Sequence, residues 1–179
     1  MLIRNFVALA LLLLPTALGA QPRYKPYKSA EVMLEYPDNW VQHTNIGTML
    51  ILVSTKGGET AVALERAKLN QPLEPSEMTE TFATIQAEVI KDQYPDATGL
   101  TAVIVTHPTL GPVVQADFTM PGSDPRRPDR LRQYVLPRGP FLYKIVCRAR
   151  ATDFAKQEAA FNTILKSLRI NLPTLKENA

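Results

Sequence analysis

The sequence predicts an α+β protein built on a central, mostly antiparallel β-sheet that is flanked by helices. Runs that are apolar or that alternate between apolar and polar residues are joined by short turns, which favours antiparallel neighbours. Two other stretches carry apolar residues at helical spacing. Each helix must bury its apolar face, and the sheet is the surface available for that. The predicted order is three strands, a helix, four strands and a second helix.

Residues 1–20 are predicted to be a secretory signal peptide. Arg4 precedes an apolar run from Phe6 to Leu14 that is too short to span a bilayer, and small residues follow Pro15. Cleavage after Gly19 and after residue 20 both fit, and an uncleaved anchor is the alternative. No cysteine follows the run, so the pattern differs from that of a bacterial lipoprotein. We expect an exported protein, either periplasmic or extracellular.

The rest of the chain has the length of one domain, which we place at residues 29–171. Residues 21–28 contain two prolines and three basic side chains, and they are expected to form an extended, loosely ordered lead-in. Residues 172–179 are expected to be a frayed polar tail. Cys147 is the only cysteine, so an intramolecular disulfide is excluded.

The first three strands are predicted at residues 31–36, 49–55 and 60–69. The first strand alternates, with Val32, Leu34 and Tyr36 on its inner side, and Pro37 ends it. The second is almost wholly apolar, which is typical of a buried strand. The third returns after a turn that contains two glycines.

The first helix is predicted to begin after Ser76, whose side chain can cap it, and to end at Tyr94. Acidic residues follow the cap, as the helix dipole favours. The apolar residues at helical spacing form one stripe, which we expect to be a buried packing face: Met78, Phe82, Ile85 and Val89.

Four strands follow, at residues 100–106, 113–120, 130–136 and 141–149. The last two flank a Pro-Arg-Gly-Pro turn and form the predicted late hairpin. The second helix is predicted over residues 153–168, with Thr152 as its cap. Its apolar stripe includes Phe154, Phe161 and Ile164.

Charge is distributed unevenly along the chain. Residues 1–125 carry 8 basic and 13 acidic side chains, whereas residues 126–179 carry 12 basic and 4 acidic ones. The basic residues of the late hairpin are a candidate binding surface for an acidic protein or an anionic surface. Export argues against nucleic acid as the partner, and a solvated, charge-protected sheet edge is the alternative interpretation. The candidate binding residues are Arg130, Arg132, Arg138, Lys144, Arg148 and Arg150.

Residues suited to catalysis are few. Cys147 is predicted to face the core with Phe141, Tyr143 and Ile145, as a buried small residue rather than a nucleophile. His43 and His107 are expected in surface loops, and neither has a second ligand at metal-binding spacing. We therefore predict no catalytic residue, no metal site and no cofactor. A hydrolase that uses Cys147 or a histidine is the least favoured alternative.

Three segments together resemble the PsbP family, the extrinsic photosystem II proteins and their bacterial relatives of the DcrB type. The first is VMLEYPDNWV, a strand that ends in proline and is followed by the only tryptophan, Trp40. The others are DRLRQYVLPRGPFLYKIVCRA in the late hairpin and FAKQEAAFNTILKSLRI in the last helix. Trp40 is expected to pack on the sheet edge or under a helix rather than to contact a ligand.

The resemblance implies an α-β-α sandwich and a non-enzymatic role. Proteins of that family act as assembly factors, scaffolds or envelope proteins that bind other proteins, and a photosynthetic source would place this one in the thylakoid lumen. Some members bind divalent ions, but no ligand residues can be matched in this sequence. We expect a binding or scaffold protein whose partner is an envelope protein or membrane complex. The alternative is a carrier of a small apolar or anionic ligand, held between the sheet and a helix.

Overall fold

The computed structural model describes residues 23–45, 48–56 and 59–171. In chain order, the elements of these residues are β1 (Tyr24–Lys28), β2 (Val32–Pro37), β3 (Trp40–Asn45), β4 (Thr48–Ser54), β5 (Ala61–Lys68), a 3-10 turn (Pro75–Glu77), α1 (Glu80–Gln93), β6 (Thr98–His107), β7 (Gly111–Met120), β8 (Asp129–Arg138), β9 (Phe141–Arg150), α2 (Phe154–Ser167) and β10 (Arg169–Ile170). The predicted signal peptide and C-terminal tail lie outside the described residues.

The strands form two antiparallel sheets, which confirms the predicted class. The large sheet has seven strands in the order β3-β4-β5-β9-β8-β7-β6, and the small sheet has the order β1-β2-β10. The late hairpin, β8 and β9, lies near the middle of the large sheet and pairs from Asp129 opposite Arg150 to Arg138 opposite Phe141. Gly139 closes the hairpin with a φ of +54°, a conformation that glycine adopts without strain.

Side chains alternate between the two faces of the large sheet. One face, which we call the α2 face, packs against α2 and the small sheet and holds the main core, including Leu52, Tyr143 and Phe161. The opposite face, the α1 face, packs against α1, where Ile90 meets Phe118 and Leu131. The protein is therefore a sandwich with the large sheet as its middle layer.

Three strands were not predicted. Residues 24–28 were expected to be loosely ordered, but they form β1 because their backbone pairs with β2 along its whole length. His43, predicted in a loop, lies in β3, which pairs with β4. The short strand β10 follows α2 directly and pairs with Val32 and Met33. These pairings join distant or polar segments, so periodicity alone does not reveal them.

Both helix caps differ from the predictions. Ser76 lies in the 3-10 turn, and α1 is capped by Thr79, whose hydroxyl accepts a hydrogen bond from the backbone N–H of Phe82. The N-cap of α2 is Asp153 rather than Thr152, and its side chain makes no capping hydrogen bond.

The predicted apolar stripe of α1 is only partly buried. Met78 is buried and Phe82 is partly buried, as expected. Ile85 and Val89, however, are 48% and 49% exposed. The helix instead buries Ala83, Gln86 and Ile90. The small side chain of Ala83 packs with Val114 and Val135, so the helix rests on the sheet along this side and leaves Ile85 and Val89 outward.

Candidate binding face and cavity

The six candidate basic residues of the late hairpin do not form one surface. Strand alternation places Arg130, Arg132 and Arg138 on the α2 face, opposite Ala149, Cys147 and Phe141 of β9. The other three residues, Lys144, Arg148 and Arg150, belong to the α1 face by the same alternation.

On the α2 face, Asp117 of β7 binds two of these arginines. Its Oδ1 accepts hydrogen bonds from Nε of Arg132 at 2.9 Å and from Nη2 of Arg130 at 3.3 Å. Arg132 also pairs with Glu158 of α2 at 3.0 Å. Both guanidinium groups lie over the ring of Phe154, the first residue of α2. This cluster ties the start of α2 to the sheet.

Arg138 makes its hydrogen bonds to backbone atoms. Its guanidinium donates to the carbonyl oxygens of Pro137 and Leu110, which joins the end of β8 to the turn between β6 and β7.

On the α1 face, Asp129 is fully buried and binds two arginines. It accepts a hydrogen bond from Nε of Arg148 at 2.7 Å and from Nη1 of Arg150 at 3.2 Å. Arg150 also pairs with Glu59 and donates to the backbone of Arg127, so it holds the loop between β7 and β8. Lys144 pairs with Glu65 of β5 at 2.6 Å. All of the candidate basic side chains except Arg138 are thus paired with carboxylates within the chain.

The α1 face is covered unevenly by the described residues. Helix α1 packs chiefly on β6 and β7, at one end of the large sheet. At the other end, the outward side chains of β3, β4, β5 and β9 are half-buried or exposed. We call this surface the open face; its apolar residues are Val41, Ile51, Val53, Ala61, Ala63 and Val146. Val41, on the edge strand, is 42% exposed.

A cavity of about 270 Å³ lies where the open face meets α1. Its apolar wall includes Val89 of α1 and Val135 and Leu142 of the late hairpin. Its polar wall is rich in glutamine: Gln86 and Gln93 come from α1, and Gln133 comes from β8. Lys144 and Glu65 also line the cavity, so one of the six candidate basic residues lies at this site.

Gln133 is the notable polar residue of the cavity. It is 2% exposed, and its Oε1 finds no hydrogen-bond partner among the described residues. Neither Gln133 nor Gln86 could be recognised as a site residue from the sequence, because a glutamine in a strand or helix normally faces solvent. The alternation of β8 does indicate that Gln133 is buried, because it lies between the apolar residues Leu131 and Val135 on the side that faces α1.

The residues considered for catalysis are dispersed. Cys147 lies in β9 and is buried on the α2 face, as predicted, and burial raises the pKa of its thiol to about 12. His43 and His107 lie on the two edge strands, each three strands from β9, or about 14 Å at the usual strand spacing. Burial, followed by the charge of Lys166, lowers the pKa of His107. The described residues therefore place neither histidine beside the thiol.

No group of three or more histidine, cysteine, aspartate or glutamate side chains within residues 23–45, 48–56 and 59–171 could hold a metal ion. In the same part of the chain, no helix is long and apolar enough to cross a membrane.

This two-sheet sandwich with its two helices is a PsbP-like α+β fold, as the resemblance in the sequence implied. The solution structure of cyanobacterial PsbP (CyanoP) from Synechocystis superposes with a TM-score of 0.61 and 11% identity, covering 87% of this chain and 96% of that one. LpqN of Mycobacterium tuberculosis, a protein involved in cell envelope biogenesis, gives a TM-score of 0.53 and 12% identity over 84% of this chain and 92% of its own.

A third similar structure is the Ran-binding protein Mog1p of Saccharomyces cerevisiae. It has a TM-score of 0.51 and 8% identity, covering 83% of this chain and 96% of that one. No family model and no curated protein matches the sequence. At these identities the likeness concerns the fold.

Proposed function

We propose that this protein is an exported, non-enzymatic binding protein of the cell envelope that works as a scaffold or assembly factor through contacts with another protein. The open face carries this proposal. A contiguous apolar surface on a folded chain commonly marks a site of interaction. Here such a surface extends over four strands, and the exposed Val89 of α1 lies at its border, where it lines the cavity.

The composition of the open face favours a protein partner. Its centre consists of alanine and β-branched side chains, and its border carries Lys144 and Arg148 of the late hairpin. An apolar centre with a polar rim is the usual arrangement of a protein–protein interface. The small residues Ala61 and Ala63 would let a partner helix or strand approach the sheet closely. Two of the candidate basic residues, Lys144 and Arg148, thus take part as a rim.

Three further observations support an envelope role without a reaction. The N-terminal sequence has the pattern of a signal peptide. LpqN, one of the similar structures, is involved in cell envelope biogenesis, and Mog1p binds another protein, Ran. The buried, protonated Cys147 lies far from both histidines, so the described residues place no imidazole base beside this thiol.

Crosslinking in the native host, followed by mass spectrometry of the captured proteins, tests the proposal. We expect a specific partner whose crosslinks map to β3, β4, β5 and β9. The Val41→Asp variant places a charge on the open face at an exposed edge-strand position, and it should strongly reduce capture of that partner without unfolding the protein.

Val103→Asp is the matched control. Val103 is 52% exposed and lies on the other edge strand, β6, with its side chain on the α2 face. Partner capture should survive this change. Equal capture by the wild type and both variants, or crosslinks confined to the α2 face, would show that the open face is not the docking site.

Carriage of a small ligand is a second candidate function. The observation that favours it is the cavity between α1 and the sheet, because its polar wall includes a buried amide oxygen with no partner among the described residues. Binding of a small molecule that co-purifies from the host, seen by native mass spectrometry, would support this function.

A further inference from the structure

The cavity beside α1 has the composition of a small-molecule site rather than of a packing defect. Empty cavities in proteins are normally lined by apolar side chains. This one combines an apolar wall, formed by Val89, Val135 and Leu142, with the amides of Gln86 and Gln133. Its volume of about 270 Å³ lies just below the range of about 300–1,000 Å³ that is usual for drug-sized ligands.

Gln133 gives the cavity its specificity. Leaving a buried amide oxygen without a donor is unfavourable, and such groups in folded proteins normally have a partner. The neighbours of Gln133 on the same side of β8 are Leu131 and Val135, which offer no polar group. Because Oε1 itself is enclosed in this conformation, the amide must turn about its last bond to present the oxygen to the cavity, where a bound molecule can donate to it.

The shape of the amide indicates what that molecule carries. A glutamine amide presents an acceptor beside a donor, and a half-turn about its last bond exchanges the two. A ligand edge that also has a donor beside an acceptor pairs with it in either orientation. The charged groups of the lining are paired: Lys144 with Glu65 at 2.6 Å, and Arg66 with Glu31 at 2.6 Å. No unpaired charge in this part of the wall therefore requires a charged ligand.

We propose that the cavity between α1 and β8 binds a small neutral molecule that has a carboxamide-like edge and an apolar body. The edge pairs with Gln133, and the apolar body packs against Val89, Val135 and Leu142. This proposal rests on the second candidate function, carriage of a small ligand, and it does not depend on docking at the open face.

Benzamide is a suitable probe, since it has a primary amide edge and a flat apolar ring. In a titration of the ¹⁵N-labelled protein followed by NMR, we expect saturable shifts centred on the backbone amides of Gln86, Gln133, Val135 and Leu142. N,N-dimethylbenzamide has the same ring but no donor, so its affinity should be lower by about tenfold or more.

The variant Gln133→Met keeps the length of the side chain and removes the amide. It should lose benzamide binding while remaining folded, because no hydrogen bond to another described residue is lost. Gln42→Met, at an exposed position on the edge strand β3, is the matched control and should bind benzamide as the wild type does.

Three results would overturn the proposal: shifts that do not saturate or that lie outside the cavity, equal affinity for the two benzamides, or undiminished binding by Gln133→Met. These results are separate from those for protein docking. If the wild-type protein did not bind benzamide in the cavity but still captured its protein partner, only the proposal of a carboxamide ligand would be rejected. Loss of capture in Val41→Asp with benzamide binding intact would leave both proposals standing.

Discussion

Asp129, fully buried at the start of β8, accepts a hydrogen bond from Nε of Arg148 on the neighbouring strand β9 at 2.7 Å. The second oxygen of the same carboxylate accepts from Arg150 at 3.2 Å. One buried negative charge therefore holds two arginines that, from the sequence alone, could be assigned to a binding surface.

Removing the carboxylate should destabilise the protein strongly. In Asp129→Ala, the nearly buried guanidinium of Arg150 loses one of its two carboxylate partners, and the loop between β7 and β8 loses its anchor. Breaking a buried ion pair by removing one partner typically costs about 3–5 kcal/mol, so we expect a loss of about 3 kcal/mol in the free energy of unfolding measured with urea.

Arg148→Ala should cost less than Asp129→Ala, because Arg150 still pairs with the carboxylate. The exposed pair of Lys156 and Asp153 provides the control, and Lys156→Ala should leave the urea midpoint unchanged. If Asp129→Ala also left it unchanged, the buried cluster would not contribute to stability.

The thiol of Cys147 should not react in the folded protein. Burial raises its pKa to about 12, so at neutral pH it is protonated, and it is also shielded from reagents. Labelling by a chromogenic disulfide reagent should be slow in buffer and fast in urea. Thr55→Cys, at an exposed position, supplies a control that labels at once. Rapid labelling of Cys147 in the native protein would favour the hydrolase alternative.

Two buried tyrosines should make stability fall in alkali. Burial raises the pKa of Tyr134 from 10.0 to about 12, and burial together with a hydrogen bond to Glu31 raises that of Tyr143 above its ordinary value. The folded state thus holds these protons more tightly than the unfolded state. The resulting stabilisation is complete below pH 10 and is lost as the pH rises from about 10 through 12 and beyond.

Urea unfolding at a series of alkaline pH values checks this expectation. Tyr143→Phe should show a weaker pH dependence and, at neutral pH, a loss of about 1–2 kcal/mol, because Glu31 loses the hydroxyl donor at 2.5 Å. If the free energy of unfolding of Tyr143→Phe fell with alkaline pH as steeply as that of the wild type, groups other than Tyr143 would cause the pH dependence.

The start of α1 offers a direct comparison of two possible caps. Thr79→Ala should lower stability by about 0.5–1 kcal/mol, because its hydroxyl accepts a hydrogen bond from the N–H of Phe82. Ser76→Ala, in the preceding 3-10 turn, should have little effect. The thermal midpoints of the two variants distinguish the alternatives, and the reverse order would place the beginning of the helix at Ser76.

The strands of the large sheet could be predicted from the sequence to within a few residues wherever their own side chains carry the pattern. Residues 141–149, for example, alternate regularly, and β9 covers Phe141–Arg150. In contrast, β1 and β10 depend on pairing with β2 from opposite ends of the domain. Such strands carry little local signal, because their stability comes from the partner backbone.

The candidate site was less accessible to prediction. The prediction for the buried side of α1 is wrong, because the most apolar stripe of the helix is not the side that packs on the sheet. Ala83 packs tightly against the sheet, whereas Ile85 is exposed. Asp129 stands opposite Arg150 in the hairpin, so its hydrogen bond with Arg148 is a diagonal contact that depends on side-chain conformation, which the sequence does not show. The burial of Gln133 depends on the packing of α1 beside β8, a contact between segments distant in the chain that local sequence does not specify.

The position of β10 has a consequence for how the chain acquires its structure. Arg169 and Ile170 pair with Met33 and Val32, so the small sheet joins segments more than a hundred residues apart. Contacts of such long range form slowly, since a large loop must close before they are made. The third strand of the small sheet can therefore pair only after the rest of the domain has brought the two segments together, and we expect this pairing to be a late step of folding.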